Sequence, residues 1–112
     1  MARVITSDNF ERELKRLAKK FPSLRREFLE LVESLENQPV QGTALGKNCF
    51  KIRLAIASKG RGKSGGGRVI TYVQIVDDLV YLLSIYDKSE KESLSDNELN
   101  GLLELAGLEP TE

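Results

Sequence analysis

The sequence lacks histidine entirely and contains a single cysteine, Cys49. Zinc sites are built mainly from cysteine and histidine, so neither a zinc centre nor a histidine-based nucleophile relay has the donors it needs. One cysteine also excludes an internal disulfide framework. Because Cys49 stands beside Phe50 at the start of an apolar segment, we predict a buried and unreactive thiol. We expect no metal ion and no cofactor.

Long hydrophobic runs are absent as well. The most apolar segment, residues 79–85, is much shorter than the roughly 20 residues that span a bilayer. The opening Met1-Ala2-Arg3 does not have the pattern of a signal peptide. A chain of 112 residues has room for one core of modest size. We therefore expect a single domain over residues 1–112, located in the cytoplasm and without a membrane partner.

Acidic residues are missing from the middle of a chain whose net charge is zero. Residues 37–76 contain seven Lys and Arg but no Asp or Glu, whereas residues 77–112 contain two basic and ten acidic residues. This separation predicts a local positive field that attracts a polyanion. Catalysis by paired carboxylates has little support, because the acids lie mainly on predicted helix surfaces and in the last third. Asp77-Asp78 has the composition of a turn.

Apolar spacing predicts an α+β fold, in which an N-terminal helical hairpin packs on a small antiparallel sheet of three to four strands with a C-terminal helix. Ser7 is the predicted N-cap of the first helix, and residues 21–23 separate it from the second. Ser95 and Glu98 form a capping box that opens the last helix. The strands are expected at residues 50–56, 68–76 and 79–86, with a short opening strand at residues 3–5.

Between the first two of the long strands lies a segment rich in glycine and basic residues. Residues 58–67 contain five of the nine glycines, which predicts a mobile loop. Residues 57–64 fit a relaxed phosphate-binding loop, but that motif needs a helix to begin at its Lys-Ser pair, and here glycines and a strand follow. The loop is either merely solvated or grips a nucleic-acid backbone. The RNA-binding residues in the second case are Lys59, Arg61 and Lys63.

Basic side chains also mark one face of the predicted sheet. Lys51 and Arg53 are two residues apart in a strand, so they project from the same face. Arg68 opens the neighbouring strand, and we expect its guanidinium near theirs. Like charges gathered on one face repel one another unless an anion lies among them. The face is therefore either an ordinary solvated surface or an anion site built on rigid strands.

The end of the last strand adds an aromatic residue and two more lysines, Tyr86, Lys88 and Lys91. An aromatic ring beside basic groups can stack an RNA base while the cations hold the backbone. Two other interpretations stay open. Tyr86 packs in the core or caps the strand end, and the lysines form local ion pairs with neighbouring acids, which contribute little to stability.

Taken in order, the segments Cys49-Phe-Lys-Ile-Arg-Leu54, Gly67-Arg-Val-Ile-Thr-Tyr72 and Val80 to Glu92 resemble the RelE/ParE toxin superfamily of type II toxin–antitoxin systems. The basic loop and the Tyr86-Asp-Lys-Ser-Glu-Lys91 ending resemble its RelE/HigB-like branch. The resemblance implies ribosome-dependent, metal-independent cleavage of messenger RNA, with the ribose 2′-hydroxyl as nucleophile, and hence inhibition of translation. It also implies a cognate antitoxin protein, and contact with DNA only through the complex with that antitoxin.

By position, Lys51 and Arg53 resemble the basic strand residues of the family, and Arg68 resembles its phosphate-stabilising arginine. We hypothesise that Arg68 and Arg53 stabilise charge on the scissile phosphate. Lys51 is the candidate general base, and Lys88 or Lys91 the candidate acid for the leaving 5′-oxygen. RelE-type members use a tyrosine where this chain has a leucine near its C-terminus, which leaves the identity of the base open.

Two other functions remain as alternatives. In the first, the chain would be a non-enzymatic inhibitor of DNA gyrase, as ParE members are. In the second, it would be an RNA-binding module without turnover. A folded Arg68→Ala variant that keeps its toxicity would favour the first. Salt-dependent RNA binding with no product over time would favour the second.

Overall fold

The computed structural model describes residues 1–60, 65–91 and 93–108. Within these ranges the chain forms five strands, three α-helices and one short 3-10 turn. In chain order the elements are β1 (Arg3–Thr6), α1 (Asp8–Lys20), α2 (Leu24–Asn37), β2 (Thr43–Gly46), β3 (Cys49–Leu54), the 3-10 turn (Ala57–Lys59), β4 (Gly67–Gln74), β5 (Leu79–Asp87) and α3 (Asp96–Leu105). None of the helices in these ranges is long and apolar enough to cross a bilayer.

The five strands form one sheet in the order β1-β5-β4-β3-β2. The expected antiparallel sheet of three to four strands is wrong in two respects. β1 runs parallel to β5, which makes the sheet mixed. β2 adds a fifth strand, paired antiparallel with β3 across the two-residue turn Lys47-Asn48. Both turn residues have positive φ, 57° and 62°, the geometry of the hairpin turns that match strand twist.

α1 and α2 pack against one face of the sheet. The predicted N-cap of α1 is confirmed, because the Ser7 hydroxyl accepts a hydrogen bond from the Phe10 backbone N–H at 3.0 Å. The apolar stripe of each helix enters a common core with the sheet residues of that face. Its fully buried members include Phe10, Leu17, Leu24, Leu35, Val69, Val80, Leu82 and Ile85. The helices thereby leave the opposite face of the sheet to other elements.

α3 covers part of that opposite face. It begins with the predicted capping box, in which Ser95 and Glu98 satisfy each other's backbone N–H groups. Leu99 and Leu103 from α3 pack into a second core with sheet residues. These sheet residues are Cys49, Ile70, Tyr72, Leu83 and Tyr86. The Cys49 side chain is fully buried, which confirms its predicted burial.

β5 contains a bulge at Leu83, because Thr71 pairs with Leu82 while the adjacent Ile70 pairs with Ser84. A bulge inserts one residue and shifts the alternation of side chains beyond it. As a result, Ile85 faces the α1–α2 core and Tyr86 faces the α3 core. Polar groups of α1 satisfy the bulged backbone. Glu13 accepts from the backbone N–H of Ile85 at 3.2 Å.

Candidate nucleic-acid interface

The strand register aligns three predicted site residues across the sheet. Arg53 in β3 lies opposite Arg68 in β4, and Arg68 lies opposite Tyr86 in β5. Residues directly opposite one another project from the same face, with Cβ atoms roughly 5 Å apart between neighbouring strands. The expected proximity of Arg53 and Arg68 is therefore confirmed at the level of the register. We call this set the Arg53–Arg68–Tyr86 row.

Lys51 extends the positive face beside this row. It precedes Arg53 by two residues in β3, so it shares its face, and it pairs with Ile70 in β4. Lys51 is half-buried, whereas Arg53 is exposed to solvent. The face thus presents one solvent-exposed cation, Arg53, and one half-buried cation, Lys51.

Arg68 is buried, with 4% of its surface exposed. Its Nη1 atom donates a hydrogen bond to the backbone carbonyl of Gly67 at 2.9 Å. The guanidinium group tolerates such burial better than an ammonium because its charge is delocalised and weakly hydrated. A buried, hydrogen-bonded guanidinium is fixed in position before any ligand arrives. This is the property required of a group that stabilises charge developing in a reaction.

Tyr86 packs in the α3 core, with 5% of its surface exposed. The interpretation that it packs in the core is therefore correct, and stacking of an RNA base on its ring would require α3 to move. Its hydroxyl has no hydrogen-bond partner among the described groups. Burial raises the pKa of Tyr86, and the nearby positive charges of Lys91 and Arg68 only partly oppose this. The phenol is thus a neutral potential donor beside the two arginines.

Lys91 lies above the tyrosine. Its Nζ is 5.8 Å from the centroid of the Tyr86 ring and donates a hydrogen bond to Oε2 of Glu98 in α3 at 2.6 Å. This hydrogen bond, with that from the Ser95 backbone, lowers the pKa of Glu98 to about 2. Both side chains of the pair are well exposed. Lys91 is therefore paired, but with Glu98 of α3 and, among the described residues, not with one of the acids that stand next to it in the sequence.

Lys59 occupies a different environment from the one expected. Residues 57–59 form a 3-10 turn, so the expectation of an irregular loop is wrong for this part. The Lys59 ammonium forms an ion pair with Asp87 and donates to the Gly65 carbonyl at 2.8 Å. Burial disfavours the charged carboxylate, but hydrogen bonds from Lys59 and Ser89 outweigh it and hold the pKa of Asp87 below its ordinary value. The ammonium group of Lys59 is thus held by contacts within the protein.

Lys88 does not lie in the row. Its backbone N–H donates to the Gly66 carbonyl at 3.1 Å at the end of the sheet, and its side chain lines a groove shared with Lys20 and Lys59. Lys20, at the end of α1, was not identified from the sequence, because no spacing pattern connects it with the last strand. The other two predicted loop residues, Arg61 and Lys63, lie outside the described residues.

The connection between β3 and β4 is anchored at both of its ends. At the first, the buried carboxylate of Glu27 in α2 accepts the backbone N–H of Ala57 at 2.6 Å, and the Ser23 hydroxyl accepts that of Ser58 at 2.9 Å. At the second, a Cβ atom on Gly66 would lie 2.3 Å from the Leu54 carbonyl oxygen. Only glycine lets the chain return so close to β3 before Arg68.

The arrangement is suited to anion binding by side chains alone. The described residues contain no cluster of three or more side chains that could hold a metal ion. The positive groups differ in exposure and in their ion pairs. Arg53 is exposed and Arg68 is buried, whereas Lys91 is paired with Glu98 and Lys59 with the buried carboxylate of Asp87. Arg53 is therefore the exposed cation of the row, and Arg68 lies buried beside it.

Known proteins share this architecture. The family described as RelE toxin of the RelE / RelB toxin-antitoxin system matches residues 3–109. The crystal structure of the isolated E. coli RelE toxin is 18% identical, with a TM-score of 0.56 and coverage of 94% of this chain and 99% of that chain. A mutant of the E. coli toxin RelE in the free state is 19% identical, with a TM-score of 0.51 and coverage of 96% of each chain. The structural matches show a common fold, and the family match spans nearly the whole sequence. The chain therefore belongs to the RelE toxin family of toxin–antitoxin systems.

Proposed function

We propose that this toxin is a metal-independent endoribonuclease that cleaves messenger RNA on the ribosome, in the cytoplasm, and so inhibits translation. The observation that carries the proposal is the direct pairing of Arg53 with Arg68 across β3 and β4. Two positive charges are held side by side on rigid strands of a protein whose net charge is zero. Membership of the RelE toxin family supports the same proposal.

The energetics of this pair favour an anionic ligand. Like charges directly opposite in neighbouring strands destabilise the fold, and a phosphate bound to both removes the repulsion. Guanidinium groups suit phosphate because their planar array of donors makes two parallel hydrogen bonds to its oxygens. Arg68 is fixed by burial and by the Gly67 carbonyl, so its donors need little reorganisation as charge grows on the scissile phosphate.

The cleavage step requires two proton transfers. A base removes the proton of the ribose 2′-hydroxyl, the 2′-oxygen bonds to phosphorus, and the bond from phosphorus to the 5′-oxygen breaks as an acid protonates that oxygen. The products are a 2′,3′-cyclic phosphate and a free 5′-hydroxyl. We assign the base to Lys51, which shares the face of Arg53. The acid is Lys91 or Lys88, and the position of Lys91 over the Tyr86 ring favours Lys91.

Other predicted residues contribute binding in this proposal. Arg61 and Lys63 contact the RNA backbone from the loop, with Lys59 supporting the start of the loop through Asp87. A cognate antitoxin covers the basic face or displaces α3, which packs on Tyr86 through Leu99 and Leu103. Contact with DNA would occur only through the complex with that antitoxin.

Purified protein, ribosomes and a short message test the proposal. Arg53 is exposed, so Arg53→Gln should fold normally, and we expect cleavage to slow by roughly 100-fold, the scale for loss of one charge-stabilising donor. Arg26→Gln, an equal change of charge at an exposed site in α2, should cleave like the wild type. Intact message with the wild-type protein would contradict the proposal. If that protein were still toxic in cells, inhibition of DNA gyrase would replace RNA cleavage as the proposed function.

A further inference from the structure

A groove of about 610 Å³ opens at the end of the sheet where β5 finishes, next to the C-terminal end of α1. We call it the lysine groove. Its lining includes Lys20, Phe21, Lys59, Asp87, Lys88 and Ser89. It is open to solvent along its length, unlike the enclosed apolar pockets that hold small organic ligands.

The charges of the lysine groove do not cancel. Among the described residues that line it, only Asp87 is acidic, and this carboxylate is buried and neutralised by Lys59. Two positive charges remain, on Lys20 and Lys88. Within the described ranges neither lysine forms an ion pair. The groove therefore carries two unneutralised positive charges around a compensated pair.

The walls of the groove are structurally supported. Phe21 is buried, and the ammonium groups of Lys20 and Lys59 lie 5.5 and 6.0 Å from its ring centroid. Cations over an aromatic face at this range are attracted to it. On the other wall, the Ser89 backbone N–H donates to Asp87 at 3.0 Å. The positions of the two uncompensated lysines are thus set by the aromatic ring and by the end of β5.

The groove lies at the same end of the sheet as the Arg53–Arg68–Tyr86 row, but on the α1–α2 face rather than the α3 face. Asp87 follows Tyr86 directly in β5, and the Lys88 backbone is hydrogen-bonded to Gly66, two residues before Arg68. A chain of phosphates that meets the exposed Arg53 would reach the groove by passing around this end of the sheet. Each phosphate of a polyanion that is neutralised by a lysine releases bound counterions, which favours a polymer over a small free anion.

We propose that the lysine groove binds a backbone phosphate of RNA through Lys20 and Lys88, around the end of the sheet from the arginine pair. This inference rests on the proposed function, because it takes RNA as the polyanion. The phosphate belongs to the message or to ribosomal RNA, which present the same phosphodiester chemistry.

Lys20→Gln tests the groove, with Lys19→Gln as its control. Lys19 is exposed in the same turn of α1 but does not line the groove. The probes are a fluorescent single-stranded RNA with 2′-O-methyl riboses, which cannot be cleaved through a 2′-hydroxyl, and isolated small ribosomal subunits. The affinity of each is measured over a series of salt concentrations. We expect Lys20→Gln to reduce the slope of log affinity against log salt by about 0.7, the value for one phosphate contact on a single strand. Lys20→Arg should restore it.

The two probes distinguish the sources of the phosphate. A reduced slope with free RNA assigns the groove to the message, and a reduced slope only with subunits assigns it to ribosomal RNA. Equal slopes for Lys20→Gln and Lys19→Gln on both probes would overturn the inference. Cleavage of message on ribosomes, measured separately, isolates the proposed function. If Lys20→Gln reduces the salt slope but the wild-type protein cleaves no message, the proposed nuclease activity is overturned and the RNA contact in the lysine groove stands.

Discussion

Arg53 lies directly opposite Arg68 in the antiparallel pairing of β3 and β4, so two guanidinium groups share one face of the sheet. Like charges directly opposite one another in neighbouring strands repel. A phosphate bound between the two guanidinium groups would be attracted to both. Stability and RNA cleavage should therefore respond in opposite directions when this pair is changed.

Arg53→Gln is the direct test of that opposition. We expect the variant to be more stable than the wild type by up to roughly 1 kcal/mol at low salt, because it removes the repulsion, and high salt should reduce the difference. Urea unfolding at the two salt concentrations measures it, with Arg26→Gln as the control for loss of an exposed charge. A variant less stable than this control would show that Arg53 has a favourable partner instead.

Glu98→Gln should strengthen RNA binding. The substitution removes the charge that holds Lys91, while the glutamine oxygen can still accept the Ser95 backbone N–H of the capping box. We expect a salt slope for the 2′-O-methyl RNA that is steeper by about 0.7, as one more cation becomes available. Glu104→Gln, exposed in the same helix, is the matched control. Equal effects of the two variants would remove Lys91 from the interface.

Glu27→Ala should destabilise the protein by roughly 1.5–3 kcal/mol, the range for loss of a hydrogen bond to a charged group. The donor is the Ala57 backbone N–H, which Glu27 accepts from α2. Urea unfolding gives the free energy, and hydrogen exchange should show faster exchange at Ala57. Glu30→Ala, exposed in the same helix, should have little effect on either. An unchanged exchange rate at Ala57 would mean that the loop does not depend on this anchor.

Cys49 should react slowly with iodoacetamide in the folded protein. Burial raises its pKa from 9.0 to about 11, so at pH 8 the reactive thiolate is about 100-fold rarer than in the unfolded chain. The same shift makes stability fall as the pH rises from 9.0 towards 11, because the unfolded thiol ionises first. Mass spectrometry of the alkylated protein, with and without urea, measures the rates. Similar rates in both conditions would contradict the burial of Cys49.

Local patterns in the sequence predicted the elements that depend on local signals. The caps at Ser7 and Ser95, the two N-terminal helices and the three long strands all follow from side-chain spacing or from capping chemistry. The antiparallel pairing of β3 with β4 could also be predicted, because the loop returns the chain to the same end of the sheet. Arg53 and Arg68 could therefore be paired before the fold was known.

The remaining features depend on contacts between distant segments. The parallel pairing of β1 with β5 has no local signal. β2 leads into the turn Lys47-Asn48, which lacks the glycine that usually marks such hairpins. The bulge at Leu83 turns Tyr86 into the α3 core, which strict alternation of side chains does not predict. The Lys59–Asp87 ion pair and the groove that contains Lys20 likewise depend on contacts between distant segments, so the sequence did not predict them.

The most direct test of the central claim is primer extension on abundant messages after the wild-type chain is induced in bacteria, beside Arg68→Ala and Arg53→Gln. Arg68 is buried, so the exposed Arg53 variant guards against a loss of activity that comes only from misfolding. We predict growth arrest with cuts inside translated regions for the wild type, and neither arrest nor cuts for soluble Arg68→Ala. Growth arrest with intact messages would contradict the ribonuclease account.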